Sequence, residues 1–460
     1  MVVNIITDRT ILRPGATGEP RTITHESITS GCTFMPEPAS LPERPALQGR
    51  LPPGSCLLTL NAGSSSLKFA IFSRAEPARR LWSGRIDRMG SKESSLDIVA
   101  HGEAPAAGDT SFASGSIPGH AAGVERLFDW LKRDVGIETL AAVGHRVVHG
   151  GPKFTRPQRI TPELVAALRQ MSPFDPDHLP VEIELIETVR RLAPGLTQIA
   201  CFDTAFHRDL PRVARLIPIP RRKEAEGVRR YGFHGLSYTY LMKRLEEIAG
   251  PDVATGRVIL AHLGSGASMA AVRGGAAIDT TMGLTPTSGL VMGTRTGDID
   301  PGLVSYLWRV EGMTIERFHQ MVNRESGLLG LSGTSADVRD LLEREAGDVR
   351  AAEALALFCY RARKAIGALA VALEGIDTLV FSGGIGEHSP EIRARISAGL
   401  GFLGIALDPG RNTSAGREAL ISTGSAPVKV WVIPTDEERT IADDMTQLMA
   451  TTPPGSQTHG

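Results

Sequence analysis

The stretch LLTLNAGSSSLKFAIF, Leu57–Phe72, places two short apolar, β-prone runs around Asn61, Ala62, Gly63 and three serines. Its composition predicts strand, turn, strand. A turn this rich in Gly and Ser is either a plain hairpin or a loop that offers backbone N–H groups and hydroxyls to an anion. The same pattern returns about 200 residues later as VILAHLGSGASMAAV, Val258–Val272. Two such hairpins, each near the start of a comparable block, predict two related domains facing each other. Across a cleft they would grip a polyphosphate from both sides.

The surrounding chain is mixed α/β. CLLTLNAG, KFAIF, AAVGHRVVH, TQIACFDT, RVILAHLGSG, SMAAVRGG and DTLVFSGG read as strands ending in turn residues. TPELVAALRQM reads as a helix capped by Thr161 with Pro162 at its first position, and Ser389–Pro390 repeats that signal. The Ala-rich run ending near Gly375 reads as a long, buried central helix. Residues 1–54 hold eight of the 30 prolines and no sustained periodicity, so they read as a disordered tail, as do residues 451–460.

The chain has 460 residues, 42% hydrophobic and 22% charged, with a formal net charge of -1. This length accommodates two or three domains with their own cores. The near-neutral balance gives no global pull toward nucleic acid or anionic membranes. Apolar runs such as Ala368–Leu373 are far short of the ~20 residues of a membrane span. Cys32, Cys56, Cys201 and Cys359 form no CxxC pair, so they read as reduced thiols of a cytoplasmic protein. No GxxxxGK[ST] loop occurs, and GSGASM and GGIGEH do not follow the GxGxxG pattern.

Two arginines stand in glycine-bounded loops. GHRVVHGG holds Arg146 and MGTRTGDIDPG holds Arg295, each suited to bidentate gripping of a carboxylate or phosphate. CFDTAFH places Asp203 at the end of an apolar strand, and RRYGFHGLSY places His234 in a glycine-bounded loop. Taken alone, these two read equally as a cap and a core histidine. VIPTDEE is either a helix N-terminus or a set of magnesium ligands. Together, phosphate-gripping turns, loop arginines, a histidine and clustered carboxylates describe phosphoryl transfer, which works mainly by positioning and charge neutralisation.

LNAGSSSLKF, GHRVVHGG, CFDTAFH, YGFHGLS, DTTMGLTPTSGLVMGTRTGDIDPG, FSGGIGEHSPEIR and VIPTDEE, in this order, resemble the acetate kinase family over roughly Cys56 to Ala450. The resemblance implies a duplicated ribonuclease H-like α/β fold of the actin/hexokinase/Hsp70 kind. One lobe would be 55–204 plus 436–450 on the acyl and phosphate side, and the other 205–435 on the nucleotide side. It implies reversible transfer of a phosphoryl group from ATP to acetate, with propionate, butyrate or another short acid as the alternative acceptor. By the same resemblance, Arg146 grips the acceptor carboxylate, Arg295 and His234 stabilise the phosphoryl group in flight, and Asp203 positions them. Val148, His178, Phe233 and Pro286 would surround the acyl group. Ser64, Lys68, His262, Leu263, Gly264, Ser265 and Gly266 would meet the nucleotide, with Asp337, Val338 and Arg339 and the segment Gly384, Ile385, Gly386, Glu387 and His388. Asn61 and Glu437 would hold Mg2+, or Mn2+ in its place. A homodimer is implied by the resemblance alone.

Two substitutions depart from the family pattern. Ser265 replaces the asparagine of HLGNG. Asp177, in DPDHLP, stands where APLHNP has an apolar residue, and an unpaired acid there would repel the substrate. Asp177 is therefore expected to point away or to pair with a cation.

Overall fold

The computed structural model describes residues 51–63, 65–75, 77–102 and 117–451. Ser64 and the expected tails, apart from 51–54 and Thr451, lie outside the described residues. Residues 51–54 differ from expectation: Leu51 packs against the core and the Gly54 N–H donates to the Glu138 carbonyl at 3.0 Å. These contacts fasten the start of the first strand.

Among the described residues, thirteen strands form two sheets. The first contains β1 (Cys56–Ala62), β2 (Leu67–Ser73), β3 (Arg80–Asp87), β4 (Ser95–Ala100), β5 (Leu140–Val147), β6 (Gln158–Arg159) and β7 (Thr197–Phe202), in the order β4-β3-β2-β1-β5-β7-β6. The second contains β8 (Arg257–Leu263), β9 (Ala267–Arg273), β10 (Ala276–Thr280), β11 (Thr378–Ser382), β12 (Ala419–Leu420) and β13 (Lys429–Val432), in the order β10-β9-β8-β11-β13-β12. In both, a hairpin supplies antiparallel strands on one side, and two parallel strands follow on the other. The β3-β2-β1-β5-β7 and β10-β9-β8-β11-β13 orders coincide, so the duplication expected from the two Gly/Ser turns is present. β1 and β8 are buried along almost their whole length because both faces carry cover, as expected for strands at the centre of a mixed sheet.

Helix boundaries follow the capping signals. The Thr161 side chain accepts from the Leu164 N–H and opens Pro162–Met171, while Ser389 accepts from the Ile392 N–H and opens Pro390–Ser397. The long helix Val349–Ala372 corrects one expectation: it is not enclosed all round. Ala351, Ala354, Leu355, Phe358 and Ala362 pack inward, while Tyr360 and Val371 face out, because its apolar positions recur every three to four residues on one stripe.

The helix Glu437–Thr451 packs across β1 and β5 and against the helix Gly235–Ala249. Gly144 on β5 makes this approach possible: a Cβ there would stand 2.4 Å from Met445 Sδ and 2.5 Å from Ile441 Cγ2. The last helix thus brings the VIPTDEE carboxylates to the end of β1, beside Asn61.

Candidate active site

Asp203 follows β7 directly and is fully buried. Its Oδ2 accepts from Arg146 Nη2 at 2.9 Å and from the His234 N–H at 3.0 Å, and its Oδ1 accepts from the Leu236 N–H at 3.3 Å. Burial alone would raise its pKa, but the Arg146 guanidinium reverses this and holds the carboxyl below its usual range. Arg146 also donates Nη1 to the Ala62 carbonyl at 3.3 Å. Burial opposes its charge, yet Asp203, Glu437 and Glu182 keep its pKa above the ordinary value. One buried carboxylate thereby ties the end of β5 to the loop carrying His234.

His234 adopts φ 60, a left-handed conformation that non-glycine residues rarely take. The bond from its N–H to Asp203 holds it there, directly before the helix Gly235–Ala249. Strain of this kind is held in place where the surroundings over-determine it. The ring is fixed as well: Nδ1 lies 2.7 Å from Ser268 Oγ, which also meets the Tyr238 hydroxyl. The ring stacks on His262 with centroids 4.3 Å apart. Burial, with His262, Arg146 and Arg295 nearby, pushes the His234 pKa well below its ordinary value, so the imidazole is neutral. Its Nε2 faces Gly266, where a Cβ would lie 3.3 Å away.

Arg295 is brought to the same region. Its Nη2 lies 3.3 Å from His178 Nε2, and Nη1 donates to the Pro286 carbonyl at 3.3 Å. His178 Nδ1 is 2.8 Å from Asp175 Oδ1, so Nδ1 carries the proton and Nε2 accepts from Arg295. Burial lowers the Arg295 pKa. Arg295, His178 and Pro286 line a cavity of ≈ 270 Å³ together with Asp175, Asp177, Thr285 and Thr287. Val148 and Phe233 are buried in the adjoining core and do not line that cavity themselves. Asp177 pairs with a cation as expected, Arg324 Nη2 at 3.1 Å, and its other oxygen lies 2.9 Å from His319 Nε2.

The segments expected to meet a nucleotide converge. The Gly293 N–H donates to the Ser265 carbonyl at 3.0 Å, and Cβ atoms at Gly293 and Gly264 would lie 3.4 Å from the Ala336 carbonyl oxygen and 3.8 Å from the Gly384 amide nitrogen, respectively. The 264–266 turn therefore borders both the Asp337–Arg339 and the Gly384–His388 segments. Asp337 caps its helix by accepting from the Arg339 N–H. Leu263, Val338 and Gly386 are buried, Ile385 packs against the core, and His388 is exposed. Glu387 turns inward and accepts from the Gly383 and Thr435 N–H groups at 2.8 and 3.1 Å. Its carboxylate braces the loop. Lys68 lies exposed on β2 opposite Asn61.

Asn61 Nδ2 donates to Glu437 Oε2 at 2.7 Å and to Glu438 Oε1 at 3.2 Å. Burial, then Glu437 and Asp436, raise the Glu438 pKa although Lys68 lowers it. Asn61, Glu437 and Glu438 gather carboxylate and amide oxygens at one point, a donor set that fits a hard divalent cation held through one or two carboxylates with phosphate and water. No group of three or more His, Cys, Asp or Glu side chains could hold a metal among the described residues.

Three participants escaped the sequence reading. Ser268 orients His234; Ser237 Oγ bridges His262 Nδ1 at 2.8 Å and Thr435 Oγ1 at 2.7 Å. Glu182, fully enclosed on the helix Leu179–Leu192, lies 4.0 Å from Arg146. A signal for Glu182 existed: it occupies the apolar stripe of Leu179, Ile183 and Ile186, where a carboxylate is out of place.

The acetokinase family model matches residues 56–443. An acetate kinase of Rhodopseudomonas palustris (strain TIE-1) is 46% identical over 395 residues, covering 85% of this chain and 98% of that protein. The acetate kinase of Bacillus subtilis (strain 168) is 41% identical over 86% of this chain and 99% of its own length. Among solved structures, Porphyromonas gingivalis acetate kinase superposes with TM-score 0.76 at 37% identity, covering 86% of this chain and all of that one. A propionate kinase from Francisella tularensis gives TM-score 0.78 at 34% identity, over 85% and 98%.

Proposed function

The chain belongs to the acetokinase family, and from that premise we infer that it transfers the γ-phosphoryl group of ATP reversibly to acetate, forming acetyl phosphate. It is a phosphotransferase with a carboxyl group as acceptor. The observation that carries the residue assignment is the Asp203 hub, whose Oδ2 accepts from both Arg146 and the His234 N–H.

A carboxylate is ionised at neutral pH, so the nucleophile needs no general base. It needs its charge offset before it can approach an anionic phosphate. Arg146 supplies this, clamped by Asp203 so that little reorganisation remains when substrate arrives. Arg295 presents a second guanidinium from the side of His178 and Pro286, placed to meet equatorial phosphoryl oxygens. His234 acts as a neutral donor. If Tyr238 donates to Ser268 and Ser268 to Nδ1, then Nε2 carries the proton toward Gly266 and the nucleotide turn. Asn61 and Glu437, with Glu438 behind them, would hold Mg2+, which neutralises charge between the β- and γ-phosphates when bound. The turn 264–266, the segment Asp337–Arg339 and the segment Gly384–His388 form the nucleotide side. Ser265 offers its backbone there, with a hydroxyl where the family has an amide.

The division into a lobe of 55–204 plus 436–450 and a lobe of 205–435 is supported by the confinement of each sheet to one of them. A homodimer is supported by the helix Gly302–Glu311, which buries Leu307 while Tyr306, Trp308 and Val310 stay 58–64% exposed. A cytoplasmic setting accords with the free, buried Cys56, Cys201 and Cys359. No helix among the described residues is long and apolar enough to cross a membrane. The likeness to a propionate kinase favours a second acceptor reading.

The test is a kcat/KM series with MgATP over formate, acetate, propionate and butyrate, trapping acyl phosphate with hydroxylamine. Acetate is expected to lead. A peak at propionate would move the assignment to the second reading, and absence of any hydroxamate would refute both.

A further inference from the structure

Glu182 is a buried carboxylate that the reaction as described does not use. Its Oε2 accepts from the Val148 N–H at 2.9 Å, which fixes it beneath the end of β5. Its Oε1 is buried and has no hydrogen-bond partner, and neither has Arg146 Nε. Arg146 Nη1 lies 4.0 Å from that Oε1, at the limit of an ion pair, while Nη2 is already engaged by Asp203.

The acceptor carboxylate must share this same guanidinium. With Glu182 ionised, its carboxylate, that of Asp203 and that of the substrate would share one guanidinium that is only 14% exposed, where like charges are weakly screened. A protonated Glu182 removes one negative charge and turns the orphan Oε1 into an O–H donor. We propose that Glu182 is a positioning residue that couples acceptor binding to proton uptake: the substrate carboxylate binds beside Arg146 when Glu182 is protonated and is excluded when it is ionised. This rests on the reading of Arg146 as the acceptor clamp.

The charged groups facing Glu182 agree with this linkage. They are Arg146 on β5, Asp203 after β7, and Asp175 in the turn before its own helix, itself bonded to His178. Burial raises the Glu182 pKa to about 8; Arg146 and the Val148 N–H work against the shift, and Asp175 and Asp203 add to it. A bound substrate anion adds a further push in the same direction. The free site therefore loses its proton in a range where acetate and its complex do not titrate. Above that range, substrate binding must take the proton back.

The experiment measures KM for acetate at saturating MgATP from about pH 6.5 to 9.5, with KM for ATP as control. For the native enzyme, KM for acetate is expected to rise by up to about tenfold per pH unit above the Glu182 transition, with KM for ATP following no such slope. In Glu182→Gln, which keeps an acceptor for Val148 and cannot ionise, the slope is expected to vanish. A purely structural role would leave the slope in place or raise KM equally at every pH. Independently of any variant, calorimetry of acetate binding to the MgADP-loaded native enzyme near pH 8.5 in two buffers of different ionisation enthalpy should show uptake of roughly half a proton or more per site. Binding without proton uptake, or a Gln variant that keeps the slope, overturns the proposal while leaving the kinase reading intact. Failure to form any acyl phosphate would overturn both.

Discussion

Replacing Arg146 with alanine tests the centre of the site through both stability and turnover. The guanidinium neutralises Asp203, which is 0% exposed and retains only backbone donors from His234 and Leu236 once Arg146 is gone. Removing one partner of a buried pair costs ~3–5 kcal/mol, and the two remaining N–H bonds place the expected loss at the lower end. On the acceptor side, two charge-assisted hydrogen bonds at ~1.5–3 kcal/mol each amount to ~3–6 kcal/mol, or about two to four powers of ten in kcat/KM. The pH dependence has a definite sign. In the parent, Asp203 is held below its usual range, so its contribution is present at neutral pH and lost on acidification. In the variant, burial without the cation raises Asp203 above its unfolded value, so the variant's penalty grows as pH rises through that value. The two proteins should therefore differ most at about pH 7.5 and converge toward about pH 5. Urea midpoints at both pH values and the hydroxamate assay supply the measurements. A variant within ~1 kcal/mol of the parent at neutral pH and within about tenfold in kcat/KM would refute the reasoning.

Asp177→Leu removes an ion pair to Arg324 and a hydrogen bond to His319 that are partly solvated, so stability should fall by less than ~1 kcal/mol, while the propionate-to-acetate ratio of kcat/KM should rise about tenfold; an unchanged ratio would remove Asp177 from the acyl site. Gly144→Ala forces a Cβ against Met445 and Ile441 and should lower stability by ~1–3 kcal/mol, read as a shift in the denaturation midpoint. Trp308→Glu places a charge among Tyr306 and Val310 and should halve the mass of the proposed homodimer in light scattering without altering the circular dichroism; a parent of monomer mass would refute the dimer, and a variant that stays dimeric would move the interface elsewhere.

Hairpin recurrence made the fold legible, because a strand, a Gly/Ser turn and a second strand are local signals. Neighbouring glycines drew attention to Arg146, His234 and Arg295, although only the last two lie in loops; Arg146 stands on β5, in register with Cys201 of β7. What escaped was set by tertiary packing. Ser268 and Ser237 are ordinary serines until the His234 and His262 rings are placed against them. Glu182 acts from a helix 36 residues after Arg146 in the chain, and only the packing of that helix on β5 brings the two together. Two-sided cover could not be told from one-sided cover in the Ala-rich helix Val349–Ala372, since alanine serves both.

The helix Glu437–Thr451 has a consequence for synthesis of the chain on the ribosome. Asn61 emerges early, yet its carboxylate partner Glu437 follows 376 residues later. While the intervening chain is made, β1 and β5 lack the cover that Ile441 and Met445 later provide, and Gly144 leaves an open notch between them. The nascent sheet thus presents an apolar groove until that helix is made, the kind of surface that chaperones bind. Closing that groove and completing the carboxylate cluster are one event, so a chain competent for the reaction is also one that has finished burying its first sheet.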